Sequence, residues 1–236
     1  MSELIKQQTV YLIRHGKVAG EPALYGQSDV PVEEKAHAAM VEQLRLFIAQ
    51  QEVMQSSVLR FYSSPLQRCL TTAKACTEEQ VNVSAGLSEM DFGCLDGVLF
   101  STLFEEQPEQ WQLLERFWRA PAQQQLPQAE SLADFNQRVL AAWAELLSHI
   151  NNHDQDVIVI THGGVIRQIL AQVLSLNWQD SALYSQLNIK NASVTKINIT
   201  SKAADINRVS GAGVEQADSK YLSVEYIGAP ISVLAN

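Results

Sequence analysis

Two short stretches of the 236-residue chain place a histidine and a glycine directly after an apolar run. Thr9 to Ile13 leads into Arg14-His15-Gly16, and Val157 to Ile160 leads into Thr161-His162-Gly163-Gly164. A neutral imidazole can attack a phosphoryl group and carry it as a covalent intermediate. A guanidinium binds the oxygens of such a group in a planar, bidentate manner. The residue types therefore indicate phosphoryl chemistry.

Arg68 is a second candidate cation for an anionic substrate. Ser64 and Pro65 precede it and predict a helix N-cap and the first helical residue, so Arg68 would lie in the first turn of a helix. The free backbone N–H groups of such a turn attract anions. An arginine there could also be an ordinary surface residue, and the Ser-Ser-Pro context favours phosphate binding.

A carboxyl group is the remaining part that this chemistry needs. Held near its protonated form, it can protonate a leaving alcohol and later activate water. The irregular stretch from 87 to 97 contains Glu89, Asp91 and Asp96, any of which could be solvated loop residues instead. The residues alone leave open which of the three is the acid.

The elements that must position these residues follow from periodicity and turn signals. Strands are predicted near 9–13, 58–62, 81–83, 157–160, 193–200 and 221–227. Helices are predicted over about 32–50, 65–76, 99–119 (one or two), 131–150, with a capping box at Ser131 and Asp134, and 165–173. This order predicts a three-layer α/β/α sandwich with a mostly parallel central sheet. Because ligands bind at the carboxyl ends of such strands, His15 and His162 should share one edge.

Composition narrows the class of protein. The chain is 46% hydrophobic and 18% charged, which suits one domain over residues 1–236. Its net charge of −9 argues against nucleic-acid and anionic-membrane partners. The start of the chain lacks the pattern of a secretory signal, and no segment approaches the ~20 apolar residues of a membrane helix. We expect a cytoplasmic protein, monomeric or homodimeric.

Cysteine and histidine spacing gives no metal site. Cys69 and Cys76 fall on the apolar stripe of the second predicted helix, and Cys94 completes an odd number of cysteines. His149 and His153 have the i, i+4 spacing of a helical metal pair, but no acidic or cysteine ligand set accompanies them. A solvated helix end is favoured, and we expect no metal and no cofactor.

Six motifs occur in one order along the chain. They are Leu12-Ile13-Arg14-His15-Gly16, Tyr25-Gly26-Gln27-Ser28-Asp29-Val30-Pro31, Ser63-Ser64-Pro65-Leu66-Gln67-Arg68-Cys69-Leu70-Thr71-Thr72-Ala73, Glu89-Met90-Asp91-Phe92-Gly93-Cys94-Leu95-Asp96-Gly97, Glu130-Ser131 and Thr161-His162-Gly163-Gly164. In this order they resemble the histidine phosphatase (phosphoglycerate mutase-like) superfamily.

The resemblance implies a role for each site residue. His15 would be the phosphorylated nucleophile and Glu89 the proton donor. The substrate would be a small phosphorylated metabolite, and the residues binding it would be Arg14, Arg68, His162, Gln27 and Gly163. The family fold is the sandwich predicted above, and the family needs no metal.

Within the superfamily, the chain is most similar to α-ribazole phosphatases of cobalamin synthesis. The matching stretches are 25–31, 117–121 and 130–135. The aromatic residues between Phe100 and Trp118 would pack in a lid region (99–130) and could stack on an aromatic leaving group, and residues 201–220 would form a mobile loop. The alternatives are a broad-specificity phosphatase, a non-catalytic phosphate-binding regulator, and a phosphoglycerate mutase. A mutase needs extra cations, and only Arg116 and Arg119 lie between Glu89 and Glu130.

Overall fold

The structure is a computed structural model that describes residues 5–55, 59–151, 155–202 and 220–235. Six strands in these ranges form one sheet in the order β3-β2-β4-β1-β5-β6. The strands are β1 (Ile5–Arg14), β2 (Arg60–Ser63), β3 (Asn82–Val83), β4 (Val157–Thr161), β5 (Ser193–Lys202) and β6 (Tyr221–Pro230). β1 to β4 are parallel, and β5 is antiparallel to its neighbours β1 and β6. Five strands therefore run in one direction, which confirms the mostly parallel sheet.

Eight helices surround the sheet in the described ranges. They are α1 (Glu34–Gln55), α2 (Gln67–Cys76), α3 (Phe100–Glu106), α4 (Pro108–Arg119), α5 (Leu132–Asn151), α6 (Gly163–Val173), α7 (Ser181–Ser185) and α8 (Ile231–Leu234). Ala85–Leu87 and Gly93–Leu95 form 3₁₀ turns. None of the described helices is long and apolar enough to cross a membrane.

The alternation of side chains along β1 divides the core into two layers. Val10 and Leu12 face the layer that contains α5 and α6, while Tyr11 and Ile13 face the layer that contains α1, α2 and α8. All four side chains are fully buried. The two apolar layers hold the sheet between helices on both faces, as the three-layer prediction requires.

The structure differs from the sequence prediction at the start of α2. This helix begins at Gln67 instead of Pro65, and its N-cap position is Leu66, without a side-chain cap. The Oγ of Ser64, the predicted cap, lies 2.8 Å from Nε2 of His162. Its hydrogen bond from the Leu66 amide is long, at 3.3 Å. Contact with the second histidine replaces the capping geometry, and Arg68 is still in the first turn.

Two further predictions concern a mobile loop over residues 201–220 and a lid region over residues 99–130. Ser201 and Lys202, predicted to begin a mobile loop, belong to β5, and residues 203–219 of that loop lie outside the described residues. In the predicted lid region, α3 and α4 bury Leu103 and Leu114 completely. A lid function for residues 99–130 stays a prediction.

Candidate active site

The carboxyl ends of β1 and β4 bring the two predicted histidines together. Arg14 pairs with Thr161 in the parallel register, and the His15 amide donates to Thr161 O over 3.0 Å. The rings of His15 and His162 follow directly, with centroids 5.1 Å apart and planes inclined by 63°. The register of two buried strands thus sets the distance between the histidines.

His15 is held as a neutral imidazole with a defined tautomer. Its Nδ1 lies 2.7 Å from Gly16 O, and a carbonyl can only accept, so Nδ1 carries the proton and Nε2 bears the lone pair. Burial, with smaller contributions from Arg14 and Arg68, lowers the pKa of His15 to about 3 despite the opposing effect of the Gly16 bond. Nε2 is therefore unprotonated at neutral pH, as a nucleophile must be.

His162 is fully buried, and both of its ring nitrogens have partners. Arg68 Nε donates to Nδ1 over 3.2 Å, so Nε2 carries the proton and donates to Ser64 Oγ over 2.8 Å. Burial, His15 and the nearby arginines hold the pKa of His162 well below its usual range. His162 is therefore a neutral ring that orients Arg68.

Arg68 is a fully buried cation in a cage of backbone carbonyls. Nη1 donates to Ser28 O over 2.8 Å, and Nη2 donates to Tyr25 O and Gly26 O over 2.9 and 2.6 Å. Together with the bond from Nε to His162, these bonds occupy four of the five N–H groups of the Arg68 guanidinium. The guanidinium therefore fixes the 25–28 loop beside the site and keeps one N–H for a ligand.

The guanidiniums of Arg14 and Arg167 both lie next to Gly163, the first residue of α6. A Cβ placed on Gly163 would lie 3.2 Å from Arg167 Nη1 and 3.4 Å from Arg14 Nε. Arg14 donates through Nη1 to Ile189 O, and its buried Nε has no hydrogen-bond partner among the residues that the structure describes. Arg167 donates through Nε to Leu187 O over 3.0 Å, which leaves its Nη groups open. Burial lowers the pKa of both arginines, so each would gain from an anionic ligand.

Sequence reasoning did not identify Arg167. It lies one helical turn after His162 and Gly163, so the helix phase of α6 could have placed it at the same edge.

Glu89 is fixed by backbone amides at the border of this cationic region. Its Oε2 accepts from the Gly164 amide over 3.1 Å, and its Oε1 accepts from the Met90 amide over 3.1 Å. A Cβ on Gly164 would overlap Glu89 Oε1, so only glycine permits this approach. Gln27, an exposed residue, donates from Nε2 to Glu89 O over 2.8 Å and so lies at the acid.

The two competing carboxylates have structural partners instead. Asp91 Oδ1 accepts from the Gly93 amide over 2.8 Å. Asp96 accepts from the amides of Gln27, Ser28 and Phe92, which joins the 25–28 loop to the 87–97 stretch. Of the three acids, Glu89 is the one that lines the cavity at the site.

Arg138 on α5 organises the loop that carries Glu89. It forms a bidentate ion pair with Glu130, at 2.9 and 2.8 Å, and donates to four carbonyls from Ala85 to Glu89. Its guanidinium also lies 5.2 Å from the ring centroid of Phe135. The sequence analysis did not identify Arg138. It lies three residues after Phe135, so on a helix it falls next to the buried face of α5, and this position could have indicated a structural role.

A cavity of about 500 Å³ extends from Glu89 away from the histidines. Its polar end contains Glu89, Arg167 and Ser185, and the remaining lining is mainly apolar: Leu24, Met90, Phe92, Phe117, Trp118, Pro121, Leu132 and Phe135. Trp118 is 39% exposed and belongs to a ladder of edge-to-face rings with Phe100 and Trp111. A ligand in this cavity would therefore meet both polar groups and aromatic rings.

No metal-binding group is found among the residues that the structure describes. There, no cluster of three or more His, Cys, Asp or Glu side chains could hold a metal ion. His149 is exposed and lies 3.2 Å from the Tyr62 hydroxyl, while His153 is outside the described residues.

Comparisons with known proteins agree with this arrangement. The metal-independent phosphoserine phosphatase of Arabidopsis thaliana is 25% identical over 212 residues, which are 88% of this chain and 85% of that protein. The solved α-ribazole phosphatase of Shigella flexneri is 20% identical, covers 80% of this chain and 90% of its own, and superposes with a TM-score of 0.66. A mycobacterial glucosyl-3-phosphoglycerate phosphatase solved with inorganic phosphate is 22% identical, covers 95% of this chain and 99% of its own, and has a TM-score of 0.69.

These structural neighbours share the fold with this chain. The profile of the histidine phosphatase superfamily (branch 1) matches residues 10–210, a span that contains His15, Arg68, Glu89 and His162. The chain belongs to the histidine phosphatase superfamily.

Proposed function

We propose that this chain is a cytoplasmic phosphomonoesterase that acts through a phosphohistidine at His15, with α-ribazole 5′-phosphate as its substrate. The observation that carries the catalytic part is a neutral imidazole with an open Nε2 beside the guanidiniums of Arg14 and Arg68, with Arg167 next to Arg14. Among the described residues, Arg14, Arg68 and Arg167 make no ion pair with a carboxylate. A site with this charge balance favours a dianionic phosphoryl group even though the whole chain is acidic.

The first half of the reaction forms the P–N bond. His15 Nε2 attacks phosphorus, the ester P–O bond breaks, and protonated Glu89 gives its proton to the departing oxygen. The His15 ring becomes cationic, and its Nδ1–H bond to Gly16 O becomes charge-assisted.

The second half returns the enzyme to its starting state. Ionised Glu89 takes a proton from water, the water oxygen attacks phosphorus, and the P–N bond breaks with its electron pair returning to Nε2. The guanidiniums of Arg14 and Arg68 balance charge on the phosphoryl oxygens in both steps, with His162 holding Arg68 in place.

The cavity supports a leaving group with a polar part next to the phosphoryl and an aromatic part beyond it. Arg167 and Ser185 could bind sugar hydroxyls near Glu89, and Trp118, Phe117 and Phe92 could stack on a flat heterocycle. A ribose joined to a benzimidazole has this order of groups. Base–aromatic stacking contributes about 1–3 kcal/mol, which corresponds to roughly 5- to 150-fold in specificity.

Arg167 supports a second candidate, a phosphate ester of a small hydroxy or amino acid such as phosphoserine. Its open Nη groups could bind a carboxylate next to the phosphoryl group. A phosphoglycerate mutase has less support, since Arg116 and Arg119 both lie outside the cavity lining.

The catalytic proposal is tested by trapping the intermediate. Brief incubation with ³²P-labelled substrate and an alkaline quench should give a base-stable, acid-labile phosphoprotein that His15→Ala abolishes. Ser64→Ala is a matched control, because it alters the surroundings of His162 without removing the nucleophile. A label that survives His15→Ala would move the nucleophile elsewhere, with His162 examined next.

Substrate preference is tested with three esters and two variants. We expect α-ribazole 5′-phosphate to exceed phosphoserine and ribose 5-phosphate in kcat/KM by about tenfold or more, within the range that stacking provides. Trp118→Ala should reduce that margin, and Arg167→Met should leave it largely intact. If phosphoserine is preferred and Arg167→Met removes the preference, the second candidate is correct and the α-ribazole assignment is wrong.

A further inference from the structure

The turn that precedes β5 lies against the backbone of the nucleophile. Asn191 donates from Nδ2 to His15 O and to Gly16 O, each over 3.1 Å, and the Ala192 amide donates to His15 O over 3.2 Å. Since both acceptors are carbonyls, the amide nitrogen of Asn191 must face them. One side chain therefore bridges two consecutive carbonyls at the active site.

The Gly16 carbonyl has two donors, and one of them belongs to the nucleophile. It accepts from His15 Nδ1 over 2.7 Å and from Asn191 Nδ2 over 3.1 Å. The direction of this carbonyl decides whether Nδ1–H has an acceptor, and so which ring nitrogen of His15 keeps the proton. Holding the carbonyl in place therefore holds the tautomer.

Resting on the proposed catalytic role of His15, we propose that Asn191 is a positioning residue for the nucleophile. Its amide fixes the Gly16 carbonyl, which keeps the proton of His15 on Nδ1 and directs the lone pair of Nε2 at phosphorus. After phosphoryl transfer, the same carbonyl receives the charge-assisted bond from the cationic ring. Asn191 touches neither the substrate nor the reacting atoms.

Backbone strain next to Asn191 is a separate sign that the turn is held under constraint. Ala192 has φ of 51°, in the left-handed region that residues other than glycine rarely adopt. It is held there by its amide bond to His15 O and by the Ile231 amide, which donates to Ala192 O over 3.2 Å. Strained residues persist when the surrounding contacts determine them, and they are concentrated at functional sites.

The exposed position of Asn191 makes the test practical, because truncating an exposed side chain leaves the core intact. Asn191→Ala removes both donors, and Asn191→Asp puts a charged oxygen against the two carbonyls. Asn188→Ala, in the same loop, is the matched control, since no hydrogen bond of the Asn188 side chain occurs in the described structure.

Two measurements separate positioning from a general structural effect. The ¹⁵N spectrum of histidine-labelled protein, with His15 assigned through the spectrum of His15→Gln, should show a protonated Nδ1 in the parent and mixed tautomers in both Asn191 variants. Rapid-quench kinetics should show phosphohistidine formation slowed by about 10- to 100-fold, as expected for a misdirected nucleophile, with affinity for inorganic phosphate unchanged. Asn188→Ala should match the parent in both.

The inference is overturned if the His15 tautomer is unchanged in Asn191→Ala, or if phosphohistidine forms within twofold of the parent rate. A loss of phosphate affinity with an unchanged formation rate would also overturn it, since Asn191 would then be acting on binding. The tautomer measurement requires no turnover. If His15 proves not to be the nucleophile, the spectrum still decides whether Asn191 controls its ring.

Discussion

The depressed pKa of His15 predicts a specific loss of stability in mild acid. In the unfolded chain this imidazole binds a proton near pH 6.5, whereas burial delays protonation in the native state until about pH 3. Between these values the unfolded state holds one more proton, so stability falls as pH falls, by about 1.4 kcal/mol per pH unit. Between pH 8 and pH 6.5 His15 is neutral in both states and does not change the stability. Over the 1.5 pH units from 6.5 to 5, His15 therefore costs the native state about 2 kcal/mol of stability.

Urea unfolding of the parent and of His15→Asn at pH 8 and pH 5 isolates this effect. The comparison between the two proteins cancels the titrating groups that do not contact His15, and burial keeps His162 neutral in both. A phosphate-free buffer is needed because phosphate binding would stabilise the native state. We expect the parent to lose about 2 kcal/mol more than the variant between the two pH values. Equal losses, or a larger loss in the variant, would show that burial does not depress the pKa of His15.

Three further predictions concern the acid, its loop and metal dependence. Glu89→Gln should slow hydrolysis of alkyl phosphates by ~10²-fold or more and that of para-nitrophenyl phosphate less, because a good leaving group needs no proton; equal losses would indicate a binding role. Arg138→Met should destabilise the fold by about 1–3 kcal/mol in chemical denaturation, since the partly buried Glu130 loses its ion pair, and Glu130→Gln with Arg138→Met should recover part of that loss. Activity should survive excess chelator, as the proposed steps use side chains alone, and a requirement for Mg²⁺ would contradict them.

Periodicity predicted much of the fold because its signals are local. The buried runs at Val10–Ile13 and Val157–Ile160 have the length and composition of central strands, and the parallel order follows from the helices between them. The meeting of His15 and His162 follows from that topology. The predicted start of α2 at Pro65 was wrong because Ser64, the predicted N-cap, bonds instead to His162, which lies 98 residues further along the chain. This distant contact overrides the local capping signal.

The supporting residues depended on contacts that sequence patterns do not encode. Arg138, Arg167 and Asn191 act through backbone carbonyls of distant segments, and a carbonyl has no residue type to recognise. The choice of Glu89 over its acidic neighbours came from family resemblance. In the structure it depends on the Gly164 amide, 75 residues further along the chain.

Gly164 also gives a way to separate the two halves of the proposed reaction. A methyl group on this residue would occupy the place of Glu89 Oε1, and the carboxylate, at the end of a flexible side chain, would move while the backbone stayed. With para-nitrophenyl phosphate, Gly164→Ala should still phosphorylate His15, but no base would then be placed to activate water. The long-lived phosphoenzyme could then be isolated and crystallised, which would make the covalent intermediate itself open to structural study.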